Sequence, residues 1–447
     1  MRIAFYDWVR TSLWKLSLCR ATAFISFFIS IVFYWITRKE NILKKGLLNN
    51  KWDDLPESDI YYVYFNFATF PMLYTIPHML THDKPSFLWC QRNRSINADY
   101  IPEHVNYLSK TPLSLISAQF VLNRLVKNFK KQISINQNAK IIMFVGSEMK
   151  YINGIHPFIK HCVPEENYKI IIADCGWSYF NGFEEYMSNK NNWLEGLEKA
   201  KQQFASIKRS YLPFIPAISM PNVYFPAFCS SIMSNVEYWF PNVDYIPETI
   251  EELKIERERM VIKNTCPIDL FNELSESNKK VYSNLMEIDM EYYSKLFYSS
   301  SIPNLIITDS LCCVNEGRFH LVGEKIVKEY ADDYNLYYKP HPTMPYVYTS
   351  PETEDFLEKN NIIKLPPDLP LEIILMMFPD AFVGGYKSAI YLTIMDCRVK
   401  FFITRNMFVK TRDVSGFHNP GAFYDIYKLI ETLYESGAYK DAKLFWV

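Results

Sequence analysis

The sequence predicts an α/β protein of two doubly wound domains, each a parallel sheet with helices on both faces. Two observations predict it. Apolar runs of strand length recur at 60–66 (IYYVYFN), 86–90 (SFLWC), 140–145 (KIIMFV) and 169–173 (KIIIA), with segments of helical spacing such as 112–130 between them. Strands separated by helices imply parallel pairing through crossovers. A second series follows at 304–308 (NLIIT), 336–339, 381–383 and 399–403, after a stretch without strand pattern. That break sets a domain boundary within 245–280.

Composition narrows the class. Half of the 447 residues are hydrophobic and 22% are charged, so the chain has the makings of globular cores and not of a disordered polymer. The formal net charge is −1, without the basic excess that nucleic acid demands. The nine cysteines are scattered without CxxC pairs, which argues for reduced thiols in a reducing compartment. His156, His161 and Cys162 lie close together, at the wrong interval for one helical face, and no metal site is expected.

Taken in order, residues 1–20 mix aromatics with Arg2, Arg10, Lys15 and Arg20. Residues 21–37 are uncharged and almost wholly apolar, closed by Arg38 and Lys39. This is the short end of the about 17–25 residues that span a bilayer. A single-pass anchor, an interfacial helix with snorkelling bases and a buried core helix compete. The reading adopted is membrane attachment through 1–45, with orientation left open because bases flank both ends. Residues 40–58 read as a polar linker. The strand at 169–173 ends in Asp174-Cys175-Gly176, a carboxylate where such folds place ligands. Residues 248–259 read as a solvated helix, with more helix to about 298. Residues 423–447 read as helical to the end.

The chain's organising stretch is Leu336–Thr404. Leu336-Tyr-Tyr-Lys339 runs into Pro340-His341-Pro342. Pro366-Pro367-Asp368-Leu369-Pro370 bars helix, so a helix starts at about Leu371, with Asp368 or Leu369 near the cap and Pro370 in its first turn. That puts Glu372 at the helix's positive end. Next, 381–383 reads as a strand, Gly384-Gly385 as a turn, and Ser388 as a helix start. Such a joint is a ready anion site, to which Lys387 and Ser388 add a cation and a hydroxyl. Lys339 reads as a solvated strand end. Asp309 and Ser310, after the strand at 304–308, read as a turn or as cleft lining.

Lys339-Pro-His341-Pro342, Leu371-Glu372-Ile-Ile-Leu-Met-Met, Pro379-Asp380, Gly384-Gly385 and Ser388-Ala-Ile-Tyr391 resemble, in order and spacing, a pattern of the bacterial GT-B sialyltransferases. There it runs Lys-Gly-His-Pro, Phe-Glu-Val-Leu-Met-Met, Pro-Asp, Gly-Gly, Ser-Ser-Leu-Tyr. The resemblance is distant and extends weakly over roughly the last six-sevenths of the chain. It implies a GT-B fold, two Rossmann-like domains facing a cleft, behind an N-terminal hydrophobic helix. The domains would be 57–260 for the acceptor and 280–424 for the nucleotide sugar, with 425–447 a helix crossing back to the first.

The resemblance also implies an activity. The donor would be CMP-sialic acid, a substrate and not a cofactor, and the partner a glycan or glycolipid acceptor. Sialic acid would pass with inversion to an acceptor hydroxyl, without a metal. His341 would donate to the leaving phosphate and Glu372 would accept the ribose hydroxyls. Ser388, with Lys387, Gly385 and Ser310, would line the donor site. The setting would be glycan or lipooligosaccharide synthesis at the cytoplasmic face of a bacterial inner membrane. Two positions depart from the pattern. Cys175 stands where the family has its carboxylate base, which turns attention to Asp174, and Ala389 replaces the second Ser, with Lys387 before Ser388. A glycosyltransferase for another nucleotide sugar, and a non-catalytic nucleotide- or glycan-binding relative, remain open as alternatives.

Overall fold

The computed structural model describes residues 55–66, 69–90, 96–108, 125–126, 128–146, 159, 163–174, 183, 185–207, 225–246, 248–309, 319–340, 351–367, 369–386, 389–394, 396–404, 430–431 and 433–446. The hydrophobic segment 21–37 lies outside them. Among the described residues no helix is long and apolar enough to cross a membrane.

Two parallel sheets carry the fold. The first has seven strands in the order β3-β2-β1-β4-β5-β6-β7. These are β1 (Ile60–Asn66), β2 (Ser86–Cys90), β3 (Val105–Leu108), β4 (Lys140–Gly146), β5 (Tyr168–Ala173), β6 (Val236–Phe240) and β7 (Val261–Asn264). Helix α1 (Thr69–Leu80) follows β1, and α2 (Lys190–Ile207) lies between β5 and β6. The inner strands are buried on both faces, so they read as continuous apolar runs and not as alternating ones. Tyr61, Val63, Tyr64 and Phe65 on β1 are all closed to solvent.

The second sheet has six strands in the order β10-β9-β8-β11-β12-β13. These are β8 (Asn304–Thr308), β9 (Asn335–Lys339), β10 (Ile363–Lys364), β11 (Phe382–Tyr386), β12 (Val399–Thr404) and β13 (Lys443–Trp446). Between the sheets run α3 (Pro267–Asn272), α4 (Glu276–Leu285) and α5 (Met290–Phe297). In the second unit come α6 (Phe319–Tyr330), α7 (Pro351–Lys359) and α8 (Leu371–Met377). The connecting helices touch both units. The Asn278 side chain donates to Leu80 O at 2.6 Å, and the Cys266 thiol donates to Thr393 O at 3.2 Å.

Three expectations need correction. The first sheet runs past 260, because β7 pairs with β6 through Asn264. The stretch around β6 hid its strand because Glu237 interrupts the apolar run. That carboxylate is buried, and it is held by Lys169 Nζ at 2.7 Å, Lys263 Nζ at 3.0 Å and Trp239 Nε1 at 2.6 Å from the neighbouring positions. The last residues are not helix to the end. Lys443–Trp446 pairs in parallel with β12 as the sixth strand, and helical residues are described only at 430–431 and 433–435.

Candidate active site

Among the described residues every strand pairing is parallel, so each sheet gathers its carboxyl ends along one edge. Ligands of such sheets bind outside that edge at the point where strand order reverses. In the second sheet the chain winds from β8 outward through β9 to β10, then returns to β11 on the other side of β8 and winds out to β13. The reversal therefore lies between β8 and β11. In the first sheet it lies between β1 and β4.

At the second reversal three residues stand in register: Lys339 on β9, Thr308 on β8 and Gly385 on β11. Gly384 and Gly385 lie inside β11 and do not form a turn after it. Packing explains both. A Cβ at Gly384 would sit 2.3 Å from the Phe401 ring, and one at Gly385 would sit 2.4 Å from Thr308 O. Gly385 also has φ +128°, a conformation that L side chains rarely adopt. The Thr308 hydroxyl lies 3.1 Å from Tyr386 O and 3.0 Å from the Tyr391 hydroxyl.

The turn after β11 is tighter than the helix expected from Ser388. Ala389–Leu392 is a 3-10 turn. The Tyr391 carbonyl, which a continuing helix would use, accepts instead from the Tyr439 hydroxyl at 2.6 Å. Lys387 and Ser388 themselves lie outside the described residues.

Lys339 is not a solvated strand end. It is 3% exposed, and its Nζ donates to Pro340 O at 3.0 Å and to Pro367 O at 3.2 Å. Its neighbour Tyr338 points to the other face and donates its hydroxyl to Asp309 Oδ2. The Asp309 N–H in turn donates to Lys339 O at 3.1 Å. The ends of β8 and β9 are thus tied together through Asp309, Tyr338 and Lys339; Asp309 directly precedes Ser310, and Pro340 stands between Lys339 and His341. Ser310 and His341 lie outside the described residues.

Glu372 occupies the first turn of α8, as the proline run requires, with Pro370 itself at the cap position and no side chain capping the helix. Leu371, Ile373, Ile374, Leu375 and Met376 are buried, which leaves Glu372 partly open. Burial pushes its carboxyl above the ordinary range; its own N–H and the Lys339 ammonium pull it back part-way. The far end of α8 is held by the buried Arg398. Its Nε donates to Ala381 O at 3.0 Å, and its terminal nitrogens reach Leu375 O at 3.4 Å and Phe378 O at 3.3 Å. An arginine on the last carbonyls of a helix satisfies acceptors that have no intrahelical partner.

In the first unit Asp174 follows β5, fully buried, with its N–H donating to Trp239 O at 3.1 Å. Cys175 lies outside the described residues. Near the reversal, Asn66 and Thr75 exchange two hydrogen bonds of 2.8 and 3.0 Å. Gly146, at the end of β4, lets the Pro71 ring of α1 come close; a Cβ there would meet Pro71 Cγ at 2.6 Å. Of the residues the sequence singles out, Gly385 and Glu372 thus fall in the second unit and Asp174 in the first. Lys339, Thr308 and Arg398 are the contributors that sequence reasoning missed. For Lys339 the signal was present, a base closing an apolar strand directly before proline.

Two doubly wound parallel sheets in this order make a GT-B fold. No protein-family model and no curated protein matches the chain. Solved structures do. The GT-B domain of a sialyltransferase from Photobacterium damselae superposes with a TM-score of 0.60 at 16% identity, covering 87% of this chain and 100% of that one. The alpha/beta-galactoside alpha-2,3-sialyltransferase of Photobacterium phosphoreum gives 0.59 at 16% identity, covering 87% and 99%. The 2,6-sialyltransferase of Photobacterium sp. JT-ISH-224, solved with donor product CMP and acceptor substrate lactose, gives 0.61 at 14% identity, covering 87% and 78%. At such identities the likeness is one of fold.

Proposed function

We propose that the chain is a GT-B glycosyltransferase of the sialyltransferase kind, moving sialic acid from CMP-sialic acid to a glycan hydroxyl with inversion. One observation carries the reading. The segments of the motif pattern leave the second sheet at or beside its reversal point. Asp309 leads into Ser310, Pro340 into His341 and Tyr386 into Lys387-Ser388, all on neighbouring parallel strands. The sialyltransferase solved with CMP and lactose shares this fold.

The chemistry asks for two things. The acceptor hydroxyl must lose its proton as its oxygen attacks the anomeric carbon, and the phosphate of CMP must take the electron pair of the bond that breaks. His341 donates to that phosphate, and Lys387 with Ser388 binds it. Glu372 accepts the ribose hydroxyls. Asp174, at the carboxyl end of β5, takes the acceptor's proton. The apolar segment 21–37 holds the enzyme at the cytoplasmic face of a bacterial membrane, where a glycolipid acceptor such as lipooligosaccharide is made.

A second reading is favoured by one residue. Cys175 stands where the motif has its carboxylate, and a thiol of ordinary pKa is a poor base for a sugar hydroxyl. On that reading the chain binds nucleotide or glycan without turnover. Incubation with CMP-sialic acid, with and without lactose, separates the two. Release of CMP that rises with acceptor supports the transferase. Tight binding of CMP with no release supports the binder. Turnover of a UDP- or GDP-sugar in place of CMP-sialic acid keeps the fold and replaces the donor.

A further inference from the structure

We propose that Lys339 is a positioning residue of the donor pocket, whose ammonium ties Pro340, directly before His341, to Pro367, in the turn before α8, and so sets Glu372 as an acceptor for the ribose. The inference rests on the donor site proposed above and adds to it a residue that the motif reading set aside.

A lysine that is 3% exposed needs a reason. Taking an ammonium out of water is costly unless donors and charge are both answered. Here the donors are answered by Pro340 O and Pro367 O. Pro340 directly precedes His341, and Pro367 lies in the turn before α8. Both residues are prolines, which bring an acceptor and no N–H, so neither can be tied by its own amide. An ammonium, with three donors and no acceptor, supplies what they lack. Its charge also acts on Glu372, whose carboxyl burial alone would push toward the neutral form. Side chains alternate along β9, so Lys339 shares the face of Tyr337, whose ring packs on Phe297, which in turn packs on Phe378 at the end of α8.

A clamp that only stabilised the fold would weaken every ligand alike. A clamp that sets Glu372 acts on the ribose hydroxyls alone. The test is calorimetric titration of the full chain with CMP and with 2′,3′-dideoxy-CMP. The parent should prefer CMP by on the order of ten- to a hundred-fold, the worth of hydrogen bonds to a charged acceptor. Lys339→Gln keeps a donor and removes the charge. It should lose most of that preference through weaker CMP binding, with the dideoxy nucleotide almost unchanged, and Glu372→Gln should do the same. Lys339→Arg should retain part of the preference. Equal losses for both nucleotides, or full preference in Lys339→Gln, overturns the inference while leaving the donor site standing. If Lys339→Gln does not fold, Lys339→Arg decides: folding with the preference gone overturns it. A parent that binds no CMP overturns the donor reading itself, and this inference with it.

Discussion

Gly385 lies directly beside Thr308, paired across β8 and β11, with so little room that a Cβ would stand 2.4 Å from the Thr308 carbonyl oxygen. That oxygen is main chain and cannot step aside. Gly385→Ala should therefore cost about 2 kcal/mol or more, from the clash and from φ +128° together. At Gly384→Ala the nearest atoms are those of the Phe401 ring, a side chain. The cost there should shrink in the Gly384→Ala/Phe401→Leu double variant, and Phe401→Leu should do nothing for Gly385→Ala. Urea unfolding of the parent, Phe401→Leu, the two glycine variants and the two double variants checks this; a Gly385→Ala cost below about 0.5 kcal/mol would contradict it.

The first unit should be acid-labile. The Tyr64 hydroxyl lies 2.8 Å from His78 Nδ1 and 2.7 Å from His82 Nε2, and the Lys84 N–H donates to His82 Nδ1 at 3.2 Å. The last bond makes His82 Nδ1 an acceptor, so Nε2 donates to Tyr64 and Tyr64 donates to His78. The chain closes only with neutral rings. Burial lowers His78 to about 4; burial, with His78 and His104 nearby, lowers His82 to about 3. The unfolded chain binds protons from about pH 6.5 downward and the folded one only near 4 and 3. Stability is thus full above about 6.5 and falls as pH drops through that window. The urea midpoint should be lower at pH 5 than at pH 7.5, with a smaller difference in His82→Gln. Equal midpoints would refute the argument.

Arg398 should hold α8, and with it Glu372. Arg398→Met leaves the carbonyls of Ala381, Leu375 and Phe378 without their guanidinium donor, at roughly 2–4 kcal/mol. Arg398→Lys keeps the charge and loses the fork, so its melting temperature should fall between. A melting temperature unchanged in Arg398→Met would show that water serves these carbonyls equally well.

The base can be located by exchange. If Asp174 takes the acceptor's proton, Asp174→Asn should lower transfer by two orders of magnitude or more, while Cys175→Ser changes little. Should Cys175→Asp raise transfer instead, the carboxylate belongs at 175 and the chain as it stands is a weakened enzyme or a binder. Rates with CMP-sialic acid and lactose read both.

The strands that form the centre of each sheet were legible because burial on both faces leaves an unbroken apolar run. Those that were not legible hold a charge or lie at an edge. Glu237 broke the pattern of β6, and the flanking lysines of β5 and β7, with Trp239 Nε1, make a carboxylate tolerable there. The strands β3, β7, β10 and β13 are short, and each lies at or beside a sheet's edge. At the site, Glu372 followed from the prolines before it. The in-strand place of Gly384-Gly385 did not, because it depends on Phe401 and Thr308, which reach β11 from other strands. Lys339 was misjudged for a similar reason: its partners, Pro340 O and Pro367 O, are main-chain atoms, and no side-chain pattern announces them. His341, Ser310, Cys175, Lys387 and Ser388 lie outside the described residues.

The central claim is that the reversal point of the second sheet holds CMP, with His341 acting on charge that develops only as the bond breaks. Titration of the parent, His341→Ala and Glu372→Ala with CMP, UMP and GDP, beside their transfer rates, tests it most directly. The account predicts that the parent prefers CMP, that His341→Ala still binds CMP and has lost transfer, and that Glu372→Ala binds CMP about tenfold or more weakly. CMP bound no better than UMP or GDP, and alike by all three proteins, would contradict it.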